Sequence, residues 1–270
     1  MEITETRKDN LKSVHELIAE RPAIDNTETF KKLRAIQDRM WAKITARFDL
    51  QMDDSTRELQ PYQSLDGSAH GNLAGFSGKE IDWAVCSWVG NPKMSFCNMH
   101  ITVWMKPDTD LPHLAFACGT FPVVFFLLDY IPRVEPNVYP SYLNKYMQPA
   151  NERFLQLQND KRLMPFVSQS VYVRAAVSAI GYNFIAQPET EGVVELFEET
   201  ATEHFNRWLE WSKVADAVPR EKQAEMAARD LAMRRNTAEL DPANVLVQKL
   251  YGEQLTEKLV RGLWGGDRNS

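Results

Sequence analysis

Residues 95–105 read SFCNMHITVWM, a run in which two kinds of side chain alternate. One set is wholly apolar: Cys97, Met99, Ile101, Val103 and Met105. The other set mixes polar and aromatic groups: Phe96, Asn98, His100, Thr102 and Trp104. Because successive side chains of a β-strand point to opposite faces, this period of two predicts a strand with one face buried in a core.

Further runs with the same period lie on both sides of this strand. They read IDWAVCSWV over residues 81–89, HLAFACG over 113–119 and PVVFFLLDYI over 122–131. Four strands joined by short connections predict an antiparallel meander. Two more strands are predicted, near SVYVRAAVSA at 170–179 and at NFIAQ at 183–187. Residues 51–78 are polar and contain several glycines, so they are predicted to form a loop with at most short strands.

Helical patterns precede and follow the strands. Apolar residues recur every three or four positions from Phe30 to Phe48, which predicts an amphipathic helix over 27–48. Three helices are predicted near the end of the chain, over 193–214, over 219–235 and beyond the pair Asp241–Pro242. Together these elements predict an α+β fold, an α/β/α sandwich with a central antiparallel β-sheet flanked by helices. We assign residues 1–24 to a polar lead-in with one short helix around 10–20, and residues 25–264 to a single domain.

Composition and charge disfavour several classes of protein. The 270 residues carry a net charge of −6, which disfavours binding to nucleic acid. The cysteines Cys86, Cys97 and Cys118 are odd in number and widely spaced, which argues against a disulfide framework, a zinc site or an iron–sulfur cluster. Reduced thiols indicate a cytosol-like compartment, so we expect a cytoplasmic protein. No apolar run reaches the roughly 18–20 residues that span a bilayer, so no membrane association is expected.

The polar face of residues 95–105 is the first candidate site. Asn98, His100 and Thr102 lie between two aromatic residues. Apolar walls with a few polar groups describe a ligand cleft better than a solvated surface. His100 could move protons near neutral pH. A hydrogen-bonded histidine on a half-exposed sheet fits the same pattern, and periodicity alone leaves both interpretations open.

Three further charged features have both a structural and a functional interpretation. Asp241 stands where a helix cap is expected, before Pro242 at the first helical position. Arg174, inside a predicted strand, needs either an internal carboxylate or the carboxylate of a ligand as its partner. The first long helix carries a basic face that is either solvated or attracts an acidic partner protein. This basic face comprises Lys31, Lys32, Arg34, Arg39, Lys43 and Arg47.

Several blocks of sequence resemble the red chlorophyll catabolite reductase family of plants and bacteria, within the superfamily of ferredoxin-dependent bilin reductases. The blocks are VVFFLLDYIPRVEPNVYPSYLNKYM (123–147), LMPFVSQSVYVRAAVS (163–178), RRNTAELD (234–241) and YGEQLTEKLV (251–260). With IDWAVCSWV and its surroundings, the similar region covers residues 75–263. Because the blocks keep their order along the chain, the resemblance is more specific than a single motif.

The resemblance implies a function and its partners. Such reductases add electrons and protons in sequence to a linear, open-chain tetrapyrrole, here a red chlorophyll catabolite or a bilin such as biliverdin. They use no bound metal or flavin, and reduced ferredoxin is the external electron donor. The pigment would lie in the cleft between the sheet and the C-terminal helices. The resemblance also implies a place in chlorophyll catabolism and a homodimeric assembly.

The resemblance also implies roles for particular residues. His100 falls where some bilin reductases have a histidine that acts with an aspartate, and Asp241 matches an aspartate in the C-terminal segment of the plant enzymes. Both are implied proton donors. The residues implied to bind the pigment are Asn98, Thr102, Arg174 and Arg133. Of these, Asn98 and Thr102 would hydrogen-bond to the pyrrole lactams, and the two arginines would bind propionates.

One position departs from the family pattern. The superfamily places an acidic proton donor on the strand after Leu111–Pro112, whereas this chain has Ala117 there. Cys118 or an ordered water could take over, so Cys118 is the third candidate catalytic residue. The same departure favours an alternative hypothesis, a non-catalytic tetrapyrrole-binding or chaperone protein. A third hypothesis is an unrelated fold whose sheet binds an apolar small molecule.

Overall fold

Nine antiparallel strands form one sheet within the residues that the computed structural model describes, which are 11–13, 16, 17, 20, 24–91, 93, 96–187 and 190–268. In chain order the strands are β1 Leu50–Met52, β2 Tyr62–Gln63, β3 His70–Gly78, β4 Ile81–Asn91, β5 Phe96–Met105, β6 His113–Thr120, β7 Val124–Ile131, β8 Met164–Pro165 and β9 Tyr182–Ala186. Their spatial order is β1-β3-β4-β5-β6-β7-β9-β8, with β2 paired to β3. The predicted meander is confirmed as β4 to β7, and the strand predicted at 183–187 is confirmed as β9. Most of the lead-in 1–24, with part of its short helix, lies outside the described residues.

Strand β3 occupies nine residues of the segment that was predicted to be mainly loop, so that prediction is wrong there. The glycines of this strand serve close packing rather than turns. A Cβ atom at Gly71 would lie 2.2 Å from the ring of Tyr62, and one at Gly75 would lie 2.3 Å from the ring of Trp83. Glycine inside a strand commonly marks such a close approach.

Seven α-helices of six residues or more lie within the described residues, and a 3₁₀ helix covers Asp54–Leu59. The α-helices are α1 Thr27–Arg47, α2 Gln148–Asn159, α3 Val171–Ala176, α4 Val193–Trp211, α5 Arg220–Glu239, α6 Asn244–Tyr251 and α7 Glu253–Trp264. Two shorter helical turns, Pro140–Tyr142 and Leu143–Met147, lead into α2. The predicted helix over 27–48 is confirmed as α1. The last predicted helix is divided into α6 and α7 by Gly252, whose φ of 78° suits glycine alone.

Helix α3 replaces the strand predicted near 170–179, so that prediction is wrong. Ser170 is the N-cap of α3, and its hydroxyl accepts a hydrogen bond from the backbone N–H of Val173 at 3.5 Å. This local cap outweighs the strand preference of the valines and the tyrosine that follow it. Arg174 therefore lies on a short helix.

The helices cover both faces of the sheet. The apolar face of β5 packs in a core with Leu33 and Ile36 of α1 and with Phe197 and Phe205 of α4. The opposite face carries a smaller cluster in which side chains of β4 and β5 contact Leu259 of α7. The α+β sandwich predicted from the sequence is confirmed, with α1 and α4 on one side and α5 and α7 on the other.

The structure bears on two features of the composition, the three cysteines and the lack of long apolar runs. Cys86, Cys97 and Cys118 are all free thiols. None of the helices in the described part of the chain is both long and apolar enough to cross a membrane.

Candidate functional site

A cavity of about 440 Å³ lies on the sheet face opposite α1 and α4. The sheet forms its floor, residues 166–173 form one wall, and residues 241–246 form another. Its volume lies in the range of small-molecule sites, roughly 300–1,000 Å³. Most of the lining is apolar, and its polar members include Asn98, His100, Asn183 and Asp241. Two residues of the N-terminal segment, Ser13 and Leu17, also line the cavity.

The register of the sheet aligns part of the floor in one row. His100 of β5 lies opposite Ala117 of β6, which lies opposite Leu127 of β7, and Leu127 lies opposite Asn183 of β9. All four line the cavity. Three strand spacings separate the ends of this row by roughly 14 Å. The cavity therefore has a polar group at each end of an apolar strip.

The imidazole of His100 has a surface open to the cavity, but protein surrounds it closely. Burial lowers the pKa of His100 to about 4, because the surroundings disfavour the charged form. Within the described residues its ring has no hydrogen-bond partner, so the ring remains free to contact a ligand. Its backbone is fixed: buried Gln37 of α1 donates to the carbonyl of His100 at 2.8 Å and to that of Ser87 at 2.7 Å.

Asp241 stabilises the turn before α6 and also lines the cavity. Its Oδ1 accepts a hydrogen bond from the backbone N–H of Ala243 at 2.8 Å, which holds the turn that leads into α6. Burial raises the pKa of the carboxyl group above its usual value, and the hydrogen bond from Ala243 opposes this effect. The residue lines the cavity. In the part of the chain that the structure describes, Oδ2 makes no hydrogen bond.

Asn98 lies two residues before His100, on the same face of β5. Its Oδ1 is buried and has no hydrogen-bond donor among the described residues. An unsatisfied buried acceptor costs about 1–3 kcal/mol, so such atoms normally have a partner. The carboxamide lines the cavity, where the N–H group of a ligand would satisfy it.

Thr102 and Cys118 do not line the cavity. Thr102 lies on the cavity face of β5 and pairs with Ala115, beyond the row of His100. Cys118 points to the other face of β6 and is completely buried in the core against α1 and α4. Burial also raises the pKa of its thiol well above the usual value. The prediction that Cys118 is a substitute proton donor is therefore wrong, because its side chain lies on the face of the sheet opposite the cavity.

The position of Arg133 also contradicts its predicted role as a residue that binds a propionate. It is buried, and its guanidinium donates to Asp230 at 2.6 and 3.0 Å and to the carbonyls of Lys106 and Thr109. All three of its nitrogens are thus engaged within the protein. A ligand propionate would have to displace these contacts, and Arg133 is not among the residues that line the cavity.

Arg174 supports the cavity wall from outside. Its Nη1 donates to the carbonyls of Ser168 at 2.7 Å and Gln169 at 3.0 Å, two residues that line the cavity. Its side chain is exposed and is not itself part of the lining. The arginine therefore holds the shape of the segment before α3.

Two residues near the cavity were missed by the sequence reasoning. Asn183 is a polar residue between two buried aromatic ones in β9, and this alternation was a usable signal. Asp129 lies two positions beyond Leu127 in β7, and both of its oxygens accept hydrogen bonds from Ser178. Burial raises the pKa of Asp129 to about 6. The hydrogen bonds between Asp129 and Ser178 fix the end of the segment that carries α3. No local pattern in the sequence predicts this contact.

The basic face of α1 is largely paired with acidic residues. Lys32 contacts Glu195 at 3.4 Å, and Arg39 contacts Glu198 at 2.7 Å, both on α4. Arg47 pairs with a glutamate of the loop before β4. The face also lies on the side of the sheet opposite the cavity. This pairing favours the structural interpretation of the basic residues.

Comparison with known proteins agrees with this architecture. The structure is similar to that of phytochromobilin synthase from tomato in complex with biliverdin, with a TM-score of 0.68 and 15% sequence identity. The similarity covers 88% of this chain and 83% of that one, and at this identity it shows a common fold. No curated protein matches the chain. The family model of red chlorophyll catabolite reductase matches residues 33–264, and the chain therefore belongs to the red chlorophyll catabolite reductase family.

Proposed function

We propose that this chain reduces a linear tetrapyrrole in the 440 Å³ cavity, with electrons from reduced ferredoxin and protons from His100 and Asp241. The observation that carries the proposal is that one apolar cavity of a member of this family holds the imidazole of His100 and Oδ2 of Asp241, neither with a hydrogen-bond partner among the described residues. One candidate substrate is a red chlorophyll catabolite, after which the family is named. The other is biliverdin, which is bound to the structurally similar tomato protein.

The cavity lining suits the chemistry of such a pigment. An open-chain tetrapyrrole has broad apolar faces and a row of pyrrole N–H groups. Phe121, Phe125 and Leu127 would contact the faces, and the unsatisfied Oδ1 of Asn98 would accept a hydrogen bond from a pyrrole N–H. Among the described residues the lining contains no arginine or lysine. The propionates are therefore proposed to point towards the cavity mouth, on the side of Arg174.

Reduction of one double bond requires two electrons and two protons. Ferredoxin would deliver the electrons one at a time, so no bound metal or flavin is needed in this scheme. Each added electron places negative charge on the pigment beside His100, and a negative neighbour raises the pKa of an imidazole. The ring, which is neutral without the pigment, would then take up a proton from solvent and transfer it to the pigment. Asp241 would supply the second proton, since burial already favours its protonated form.

One observation favours a second candidate function. Ala117 lies directly opposite His100 and lines the cavity, so the position where the superfamily is expected to carry an acid offers no proton. A protein that binds a tetrapyrrole without reducing it would have no use for that acid. The two functions differ in turnover and share the cavity.

An anaerobic assay separates these functions. The purified chain is incubated with biliverdin or red chlorophyll catabolite and a system that keeps ferredoxin reduced, and a sample without ferredoxin serves as the control. Loss or shift of the pigment absorption band only in the presence of ferredoxin is expected. Stable binding with no reduction over hours would favour the binding protein. The absence of any spectral change with every pigment would contradict both.

A further inference from the structure

A second cavity, of about 200 Å³, lies between the sheet and α5 and shares no lining residue with the first. Its apolar walls include Trp104, four residues along β5 from His100. Its charged lining residues are Asp82, Asp230, Arg234 and Arg268. Four of the residues that line this small, partly enclosed cavity are therefore charged.

Arg234 is the central residue of this second cavity. Only 3% of its surface is exposed, and its Nη1 donates to Asp82 at 2.8 Å. Its Nε and Nη2 are both buried, and neither has a hydrogen-bond partner among the described residues. These two N–H groups form the edge of the guanidinium that binds two oxygens of one anion side by side. No described residue pairs with the edge that recognises a carboxylate or a similar group.

The nearby carboxylates are already paired. Asp82 contacts both Arg234 and Arg268, the latter at 2.9 Å. Asp230 contacts Arg133 at 2.6 Å and Arg229 at 3.1 Å. The cluster thus holds four arginines and two aspartates.

His113 also faces this cluster, 3.2 Å from Asp230. Burial lowers the pKa of His113 to about 4, so it is neutral at neutral pH. Within the described residues, the cluster therefore carries an excess of two positive charges. Arg229 and Arg268 are partly exposed, whereas the buried Arg234 keeps two N–H groups without a partner among the described residues, and buried donors normally have one.

We infer that the second cavity binds a small oxyanion, a carboxylate, sulfate or phosphate group. The Nε and Nη2 edge of Arg234 would hold two of its oxygens, and the partly exposed Arg268 would lie at the entrance. This site is separate from the tetrapyrrole cavity and does not depend on the proposed function. Because Arg234 lies on α5, which ends two residues before Asp241, a bound anion would also stabilise the end of the helix near the first cavity.

Thermal unfolding of the full chain tests the inference. Melting temperatures are measured in sulfate, phosphate and acetate against chloride at equal ionic strength, for the wild type, Arg234→Gln and Arg235→Gln. Arg235 is a matched control, since it is the next residue of α5, is exposed and pairs with Glu239 at 2.9 Å. The wild type and Arg235→Gln should gain stability with at least one oxyanion, and the choice of anion identifies the preferred group. In Arg234→Gln the apparent affinity should fall at least about tenfold.

The comparison between variants removes the general effect of sulfate and phosphate on protein stability, which acts on all three proteins alike. Equal responses of Arg234→Gln and Arg235→Gln would overturn the inference. Should Arg234→Gln fail to fold, crystals of the wild type soaked in selenate decide the matter. An anomalous peak within hydrogen-bond distance of Nε and Nη2 of Arg234 would support the site, and a map without a peak there would refute it.

Discussion

The burial of His100 has a measurable effect on stability, which the substitution His100→Gln isolates. In the folded protein burial lowers the pKa of the imidazole to about 4, whereas in the unfolded chain it has its ordinary value of 6.5. The unfolded chain therefore binds a proton in the range between these values and the folded protein does not. Stability from the neutral ring is fully present above pH 6.5 and is lost as the pH falls towards 4.

The size of the effect follows from the two pKa values. Between pH 7 and pH 5, linkage gives a loss of about 2 kcal/mol in the free energy of unfolding from His100 alone. Glutamine is uncharged at both pH values, so His100→Gln should remove this loss. His113 and His204 are also buried with lowered pKa values and contribute to the acid sensitivity of the wild type. Their contribution cancels when the variant is compared with the wild type.

Urea unfolding at pH 7 and pH 5, followed by tryptophan fluorescence, measures the difference. Relative to the wild type, His100→Gln should be more stable at pH 5 than at pH 7 by about 2 kcal/mol, whatever constant offset the new side chain adds. His70→Gln makes the same chemical change at an exposed residue of β3 and should leave the wild-type pH dependence in place. An unchanged difference between His100→Gln and wild type at the two pH values would refute the burial of His100.

Three further predictions concern the site and its support. Asp241→Asn should slow reduction of the pigment by about 10²-fold or more, because it removes a proton donor; a normal rate in the anaerobic assay would exclude that role. Cys118→Ser should leave the rate unchanged and lower the free energy of unfolding by about 1–3 kcal/mol, because it buries a hydroxyl; slower reduction by the folded variant would contradict its position in the core. Gln37→Leu should cost about 2 kcal/mol in urea unfolding, since the carbonyls of Ser87 and His100 lose their donor; wild-type stability would contradict that contribution.

The main elements of the fold could be predicted because their patterns are local. The alternation in 95–105 and the three-to-four spacing in 27–48 each report on one element and the face that it buries. The error at β3 arose because contacts from other strands changed the role of its glycines. The glycines of β3 were interpreted as turn residues, but Gly71 and Gly75 make room for the rings of Tyr62 and Trp83. Those rings belong to β2 and β4, so the residues of β3 alone could not reveal its conformation.

In the candidate site, too, local patterns could be interpreted from the sequence and contacts with distant residues could not. Strand alternation placed Asn98 and His100 on one face of β5, and the cavity lies on that face. Residues that depend on distant partners could not be placed in this way. The partner of Arg133 is Asp230, 97 residues away in the chain, and nothing local distinguishes such an arginine from a ligand anchor. For Cys118, its position next to Ala117 in β6 was itself sufficient to exclude it, because neighbours in a strand face opposite sides.

The two sheet faces differ because the helices that cover them bring different side chains. Helix α1 buries Leu33, Ile36 and other apolar residues against β5, and this packing fills the space between the layers. The buried residues of α5 are Asp230, Arg234 and Ala238. Asp230 and Arg234 hold α5 through ion pairs, but neither they nor Ala238 fill the layer as leucine and phenylalanine do. The second cavity lies beside Asp230 and Arg234, and the first lies beyond the end of α5 at Asp241. The charged inner face of α5 thus accounts for the second cavity, and the apolar residues of α1 account for the packed core on the opposite face of the sheet.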